Sequence, residues 1–245
     1  MRLTRTYVPG DLSANAEIVL PAQSGEHLTR VLRLEAGAPI TIFNGQGGEY
    51  SAVLGARSGK KVLARLGRHD DVERESPLTI TLLQGVARGE RMDLIVQKAT
   101  ELGVARIVPV LAERSVVKVD AKQRERKLEH WQSIAISACE QCGRNRVPEV
   151  STPAALGDAI AALPAGSLRC LLAADAGESL ASAARGAHSG VVLLIGPEGG
   201  LADNERRFAG ANGFAAYRLG PRILRTETAG LAALAALQAM AGDFA

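Results

Sequence analysis

This sequence predicts an α/β protein in two parts, and three observations support that fold. Residues 1–69 read as short strands broken by frequent turns, the pattern of a small β-barrel or sandwich. From Leu78 onward apolar strands alternate with segments of helical period, which implies a mostly parallel sheet covered on both faces. Between them Asp70–Pro77 (DDVERESP) is charged, has no apolar periodicity and ends in proline, as an interdomain linker does. The expected domains are 1–72 and 77–245.

In the first part, Arg5–Val8 and Glu17–Leu20 are short apolar-alternating strands. Ser24 is a fitting N-cap for a helical run at His27–Leu34, where Leu28, Val31 and Leu32 share a face. Pro39–Phe43 and Gly48–Ala56 flank the turn Asn44-Gly45, which signals a hairpin. Lys60–His69 alternates again at Val62, Ala64 and Leu66. In the second part, strands are expected at Leu78–Gln84, Arg106–Leu111, Val147–Val150, Leu168–Ala173, Val191–Ile195 and Ala215–Leu219. Helices are expected at Arg91–Leu102 (stopped by Gly103), Asp120–Cys142, Pro153–Leu163 (capped by Thr152), Asp203–Ala211 and Thr226–Ala241.

Composition narrows the function. No apolar run reaches the roughly 18 residues of a membrane span, and the start MRLTRTYVPG has no signal-peptide apolar core, so a cytoplasmic protein is expected. Three Cys do not form a disulfide framework and agree with a reducing compartment. The net charge is only +3, but residues 77–150 hold 12 Lys+Arg against 9 Asp+Glu, a mild local excess that suits an anionic partner.

Two stretches carry the chemistry. VVLLIGPEGG (191–200) is an apolar strand ending in a Gly-rich turn, without the spacing of a dinucleotide fingerprint or a phosphate loop. LGPRILRTETA (219–229) repeats the plan: a strand end, a Gly-Pro turn, then Arg225, Thr226 and Glu227 at a helix start. Permissive backbone at two strand ends suits a small-molecule site at the edge of an open sheet. Each stretch also has a plain structural reading, as a tight turn with a solvated Glu198 and as an N-cap with a first-turn carboxylate. Arg225 could stabilise negative charge on a substrate oxygen. The pair Cys139/Cys142 falls on the apolar stripe of its helix with Trp131, Ala135 and Ala138, and reads as core thiols. Glu140, Gln141, Arg144, Asn145 and Arg146 beyond it are either ordinary surface or an RNA- or dimer-facing patch. His27, His69, His130 and His188 are scattered and give hydrolase chemistry little support.

At LLIGPEGGL and LGPRILRTETA the chain resembles the SPOUT-class RNA methyltransferases, and within them the RsmE family, which makes N3-methyluridine in small-subunit ribosomal RNA. HLTRVLRLEAG, FNGQGGEY, QKATELGV (97–104), ERSVVK (113–118) and IAISACEQCGRNRVPE (134–149) extend the resemblance across most of the chain. It implies a PUA-like β-barrel for RNA, a SPOUT parallel-sheet domain with a trefoil knot, a homodimer, S-adenosyl-L-methionine as cofactor, and no metal. Carried onto this sequence, the cofactor loops are Leu172–Asp175, the run Ile195, Gly196, Pro197, Glu198, Gly199 and Gly200, and the stretch holding Leu219, Gly220, Leu224, Arg225, Thr226 and Ala229. The reaction needs positioning, a base and charge stabilisation. Arg225 is therefore expected on a uracil carbonyl, and Glu227 or Glu198 as the group that removes the N3 proton or orients the base. Arg2, Arg5, Arg30, Arg33, Arg88, Arg114, Arg144 and Arg146 are expected to contact RNA phosphates. Ribose 2′-O-methylation and non-catalytic RNA binding by a dimer stay open as alternatives.

Overall fold

The computed structural model describes residues 4–59, 61–115, 120–183 and 190–244. Arg2, His188 and the Val116–Lys118 end of ERSVVK lie outside them. The chain forms two compact units, the first comprising residues 1–75 with 139–147 and the second residues 76–138 with 148–245. No helix among the described residues is long and apolar enough to cross a membrane.

The first unit is one five-stranded sheet. Its strands are β1 (Thr4–Tyr7), β2 (Glu17–Val19), β3 (Pro39–Phe43), β4 (Glu49–Ser58) and β5 (Lys61–Asp70), in the order β1-β3-β4-β5-β2. The β1/β3 pair is parallel and the others are antiparallel. Alternate residues Ile40, Ile42, Ala52, Leu54, Val62, Ala64 and Leu66 turn to one face and bury Leu28 against it. The helical run begins earlier than the Ser24 cap suggests. α1 is Ala22–Glu26, led by Pro21 in an extended conformation, and a π-helical turn follows at His27–Val31. Ser24 thus sits inside the helix, and Pro21, which has no N–H to satisfy, occupies the entry.

The segment Cys139–Val147 locks into this unit. Arg5 is nearly sealed from solvent: its guanidinium pairs with Glu49, donates to Asn145 Oδ1 at 2.5 Å and lies 4.8 Å from the centre of the Phe43 ring. Arg144, also buried, makes a two-point pair with Glu75. The fully buried Asn145 donates to the Val72 carbonyl at 2.8 Å, and Glu140 accepts the Tyr7 amide at 2.9 Å. Arg146 pairs with Glu73 at 2.6 Å from an exposed position. This stretch is therefore mainly an internal latch and not ordinary surface, with Gln141 and Arg146 exposed. The charged run 71–75 is correspondingly tied down through Val72, Glu73 and Glu75.

The second unit is an all-parallel sheet. In chain order its members are β6 (Thr79–Gly85), α2 (Glu90–Glu101), β7 (Arg106–Leu111), α3 (Ala121–Cys142, whose last turn joins the first unit), β8 (Glu149–Val150), β9 (Ala154–Ala155), α4 (Leu156–Ala161), β10 (Leu168–Leu172), β11 (Glu178–Ser179), α5 (Leu180–Ala183), β12 (Gly190–Ile195), α6 (Asp203–Ala211), β13 (Ala215–Arg218) and α7 (Thr226–Ala241). The strand order is β11-β13-β10-β12-β6-β7-β8, with β9 also on β7. Leu83, Val108, Val110, Leu171, Val192 and Leu194 face α4 and α6 on one side. α7 packs on β6, β12 and α2 from the other. Thr152 does not cap a helix at 153. Ala154 and Ala155 pair with Val110 and Leu111, so the chain stays extended until Leu156. β11 and α5 carried no legible pattern. Cys139, Cys142 and Cys170 form no disulfide. Burial pushes the Cys170 thiol up to about 12, and hydrogen bonding with Cys142 together with burial pushes Cys139 up, so both are inert core thiols.

The latch should be acid-sensitive. Burial would raise the Glu49 carboxyl, but Arg5 and Arg74 outweigh it; burial would raise Glu73, but Arg146 and the Arg74 amide outweigh it. Both carboxyls are held below their ordinary 4.5. Their stabilisation is full above that value and is lost as pH falls through the lowered folded value. Protection factors of the Thr4–Tyr7 amides should fall as pH drops below about 4.5, by more than in Glu49→Gln/Glu73→Gln. Equal acid sensitivity in both proteins would contradict the assignment.

Candidate functional site

Five neighbouring parallel strands release their chains at the same edge of the second sheet. A cavity of about 610 Å³ opens there. It is walled by Leu171–Asp175 after β10, Ile195–Glu198 with Gly200 and Leu201 after β12, and Ile223–Glu227 with Ala229 at the start of α7. Arg91 of α2, Arg114 after β7 and Arg206 of α6 complete it. The carboxyl edge of an open parallel sheet is where α/β proteins bind ligands, and the volume falls in the small-molecule range.

A buried polar lock holds the walls together. Thr226 Oγ1 donates to the Gly196 carbonyl at 2.6 Å and accepts from Gln84 Nε2 at 2.9 Å. Gln84 is fully buried at the end of β6, so one hydroxyl joins β6, the turn after β12 and the start of α7. Thr226 is the first residue of that helix, not its N-cap; Arg225 occupies the extended capping position. The next residue of β6 must be glycine, because a Cβ on Gly85 would lie 2.4 Å from the Pro197 nitrogen, backbone against backbone. The turn itself closes through the Gly200 amide on the Pro197 carbonyl at 2.8 Å. Glu205 accepts from the Glu113 amide at 2.9 Å and the Ala202 amide at 2.8 Å, which holds the loop carrying Arg114 against the start of α6. Glu205 therefore caps α6 from within its first turn, and Asp203 is the first helical residue.

The charges around the cavity are arranged unequally. Glu198 accepts from the Arg88 amide and from Arg91 Nη1, both at 2.9 Å. Burial works against its charge, but those hydrogen bonds win and hold the carboxyl below the usual range. Glu227 has one oxygen 3.7 Å from Arg91 Nε, while its Oε2 is buried without a hydrogen-bond partner among the described residues. Asp175 is held by Arg206 through two bonds of 2.8 and 3.0 Å, which lower its carboxyl pKa. Arg225 is exposed on the rim and pairs with no described carboxylate. Among the described residues no group of three or more His, Cys, Asp or Glu is placed to hold a metal ion.

Of the residues expected at the cofactor loops, Leu172, Ile195, Gly196, Pro197, Glu198, Gly200, Leu224, Arg225, Thr226 and Ala229 line this one cavity with Glu227. Gly199 lies behind it against Arg114, and Leu219 and Gly220 are not among its walls. Arg91 and Arg206 were not foreseen; both sit in ordinary amphipathic helices, and only the partnered carboxylates distinguish them. The expected RNA contacts divide in the same way. Arg5 and Arg144 are committed to the latch, which leaves no guanidinium face for a phosphate. Arg30 and Arg146 are exposed but paired, whereas Arg33, Arg88 and Arg114 are exposed with side chains paired to no described carboxylate.

Thr226→Val removes the donor and the acceptor of the lock, which should cost about 2 kcal/mol. Urea unfolding followed by Trp131, the single tryptophan, measures it, and Thr226→Ser should recover most of the loss. A Val variant within about 0.5 kcal/mol of the parent would show that the lock is dispensable.

Comparison with known proteins places this architecture. Residues 74–238 match the RNA methyltransferase domain model, and residues 20–67 match the RNA methyltransferase PUA domain model. Ribosomal RNA small subunit methyltransferase E of Buchnera aphidicola (subsp. Acyrthosiphon pisum) is 32% identical, covering 99% of this chain and 96% of its own. The Bacillus subtilis protein of the same name is 34% identical over 86% of this chain and 85% of its own. The structure superposes on ribosomal RNA small subunit methyltransferase E from Neisseria gonorrhoeae, solved bound to S-adenosyl methionine, with a TM-score of 0.92, 38% identity and full coverage of both chains. With a two-domain match and relatives of this identity along its length, the chain belongs to the RNA methyltransferase family of ribosomal RNA small subunit methyltransferase E.

Proposed function

We propose that this protein transfers a methyl group from S-adenosyl-L-methionine to N3 of a uridine in small-subunit ribosomal RNA. The observation that carries the reading is the single cavity at the carboxyl edge of the sheet, in a chain of this family. The residues fit the cofactor: Leu171, Leu172, Ile195 and Leu201 offer apolar wall, the loops after β10 and β12 offer backbone polar groups, and Glu227 offers negative charge to a cationic ligand. Bound there, S-adenosyl-L-methionine supplies a methyl already activated on a sulfonium. The rest of the chemistry falls to the protein.

Uracil N3 keeps its proton at neutral pH and is a poor nucleophile until it loses it. Glu227 is the better acceptor for that proton, since Glu198 is already bound by two donors at 2.9 Å while the Arg91 guanidinium stands 3.7 Å from Glu227. Arg225 stabilises the charge that spreads onto a flanking carbonyl. Phosphate contacts fall to Arg33, Arg88 and Arg114, with Arg30 and Arg146 able to exchange weak surface pairs for phosphates.

The test combines the protein, labelled donor and unmodified small subunits, followed by nucleoside analysis. N3-methyluridine is the expected product; a 2′-O-methyl nucleoside, or no cofactor binding at all, would overturn the reading. Arg225→Ala should lower turnover roughly 10²–10³-fold while cofactor still binds.

The working form is proposed to be a homodimer in the cytoplasm, where its substrate is. Leu94 on α2, Met240 near the end of α7 and Phe244 beyond it remain exposed, and α2 and α7 pack together, which supports a self-association face. Light scattering should give twice the chain mass, and Leu94→Asp/Met240→Asp should give a monomer; a monomeric parent would refute this. The return of α7 to β6 and β12 after β13 supports threading into a trefoil knot, which an experimental chain trace would check.

A further inference from the structure

Arg91 is the second residue of α2, where a charged side chain would ordinarily face water. Instead it reaches two carboxylates from separate elements. Its Nη1 is 2.9 Å from Glu198 Oε1 and its Nε is 3.7 Å from Glu227 Oε1. The two acids differ in what else they have. Glu198 keeps the Arg88 amide if Arg91 is removed. For Glu227, whose side chain is 14% exposed, Arg91 is the one ion-pair partner among the described residues. An isolated surface ion pair would be worth little, but these three groups line one cavity, with Glu198 in the turn after β12 and Glu227 in the first turn of α7.

We propose that Arg91 is a positioning residue for methyl transfer: it reaches Glu198 and Glu227 together and so sets the orientation of the Glu227 carboxylate that takes the substrate proton. The assignment rests on the reading of this cavity as a uridine-N3 methylation site with Glu227 as acceptor. In the step the N3–H bond breaks toward the Glu227 carboxylate, and the N3 electron pair forms the new N–CH₃ bond. The S–CH₃ pair stays on sulfur, and Glu227 later yields its proton to water. Arginine suits the post because its planar fork can address two acceptors at once, whereas a lysine ammonium is a single point charge.

The test is a double-mutant cycle on single-turnover methylation of unmodified small subunits at saturating donor, with donor affinity measured alongside by calorimetry. Arg91→Met should slow the methyl-transfer step about 10–100-fold and change donor affinity less than about threefold. Arg91→Lys should fall between the two. In a Glu227→Gln background, Arg91→Met should add no more than about a twofold loss, since the pair acts as a unit. Multiplying losses in that background would overturn the proposal. So would coupling to Glu198→Gln in place of Glu227→Gln, or an affinity loss as large as the rate loss. The wild-type arm separates the two levels. No N3-methyluridine from it overturns the underlying reading and this proposal together; methylation with an additive cycle overturns only the role of Arg91.

Discussion

The Thr226 hydroxyl stands between the Gly196 carbonyl and the fully buried Gln84 amide, and three elements meet at that oxygen. Without the lock, the start of α7 would be an exposed stretch of chain running past a glycine turn. With it, α7 starts against the sheet, and Glu227 and Ala229 fall on the cavity wall. Gly85 contributes by lacking a side chain, so that Pro197 can lie on the end of β6. The site is therefore made by backbone approach more than by side-chain reach. Leucine, isoleucine and alanine supply most of its uncharged wall, Arg91, Arg206 and Glu227 enter from helices, and Arg114, Asp175, Glu198 and Arg225 from the loops.

The first unit solves a different problem. Its sheet is short and must hold a segment from a distant part of the chain. Arg5, Arg144 and Asn145 do this from positions almost closed to water, where a guanidinium needs carboxylate and carbonyl partners to offset lost hydration, although Arg5 Nε has no partner among the described residues. The same residue type therefore serves opposite purposes in this chain. Buried arginines hold the latch, while Arg33, Arg88 and Arg114 remain exposed with side chains paired to no described carboxylate.

Much of this was legible in the sequence, and the limits have physical causes. The apolar period showed Arg106–Leu111 and Thr226–Ala241 to the residue, because both carry uninterrupted patterns bounded by turns. It failed at 152–155, where a Thr-Pro pair looks like a helix start but an open edge of β7 takes the backbone first. Two walls of the cavity were visible as glycine turns after apolar strands, and the family resemblance joined them and 172–175 into one expected cofactor site. Arg91 and Arg206 were invisible because an arginine on an amphipathic helix carries no local sign of its distant partner. Arg5 and Arg144 were misread for the same reason. Their carboxylates, Glu49 and Glu75, lie far along the chain, and burial of a charge cannot be inferred from composition.

The central claim is that the segments after β10 and β12 and at the start of α7 form one pocket for the methyl donor. Amide hydrogen exchange with and without saturating S-adenosyl-L-methionine tests it most directly. The account predicts slowed exchange at 172–175, 195–200 and 224–229 together, with no change in the latch at 139–147. Protection confined to one of the three segments, or concentrated in the first unit, would contradict it.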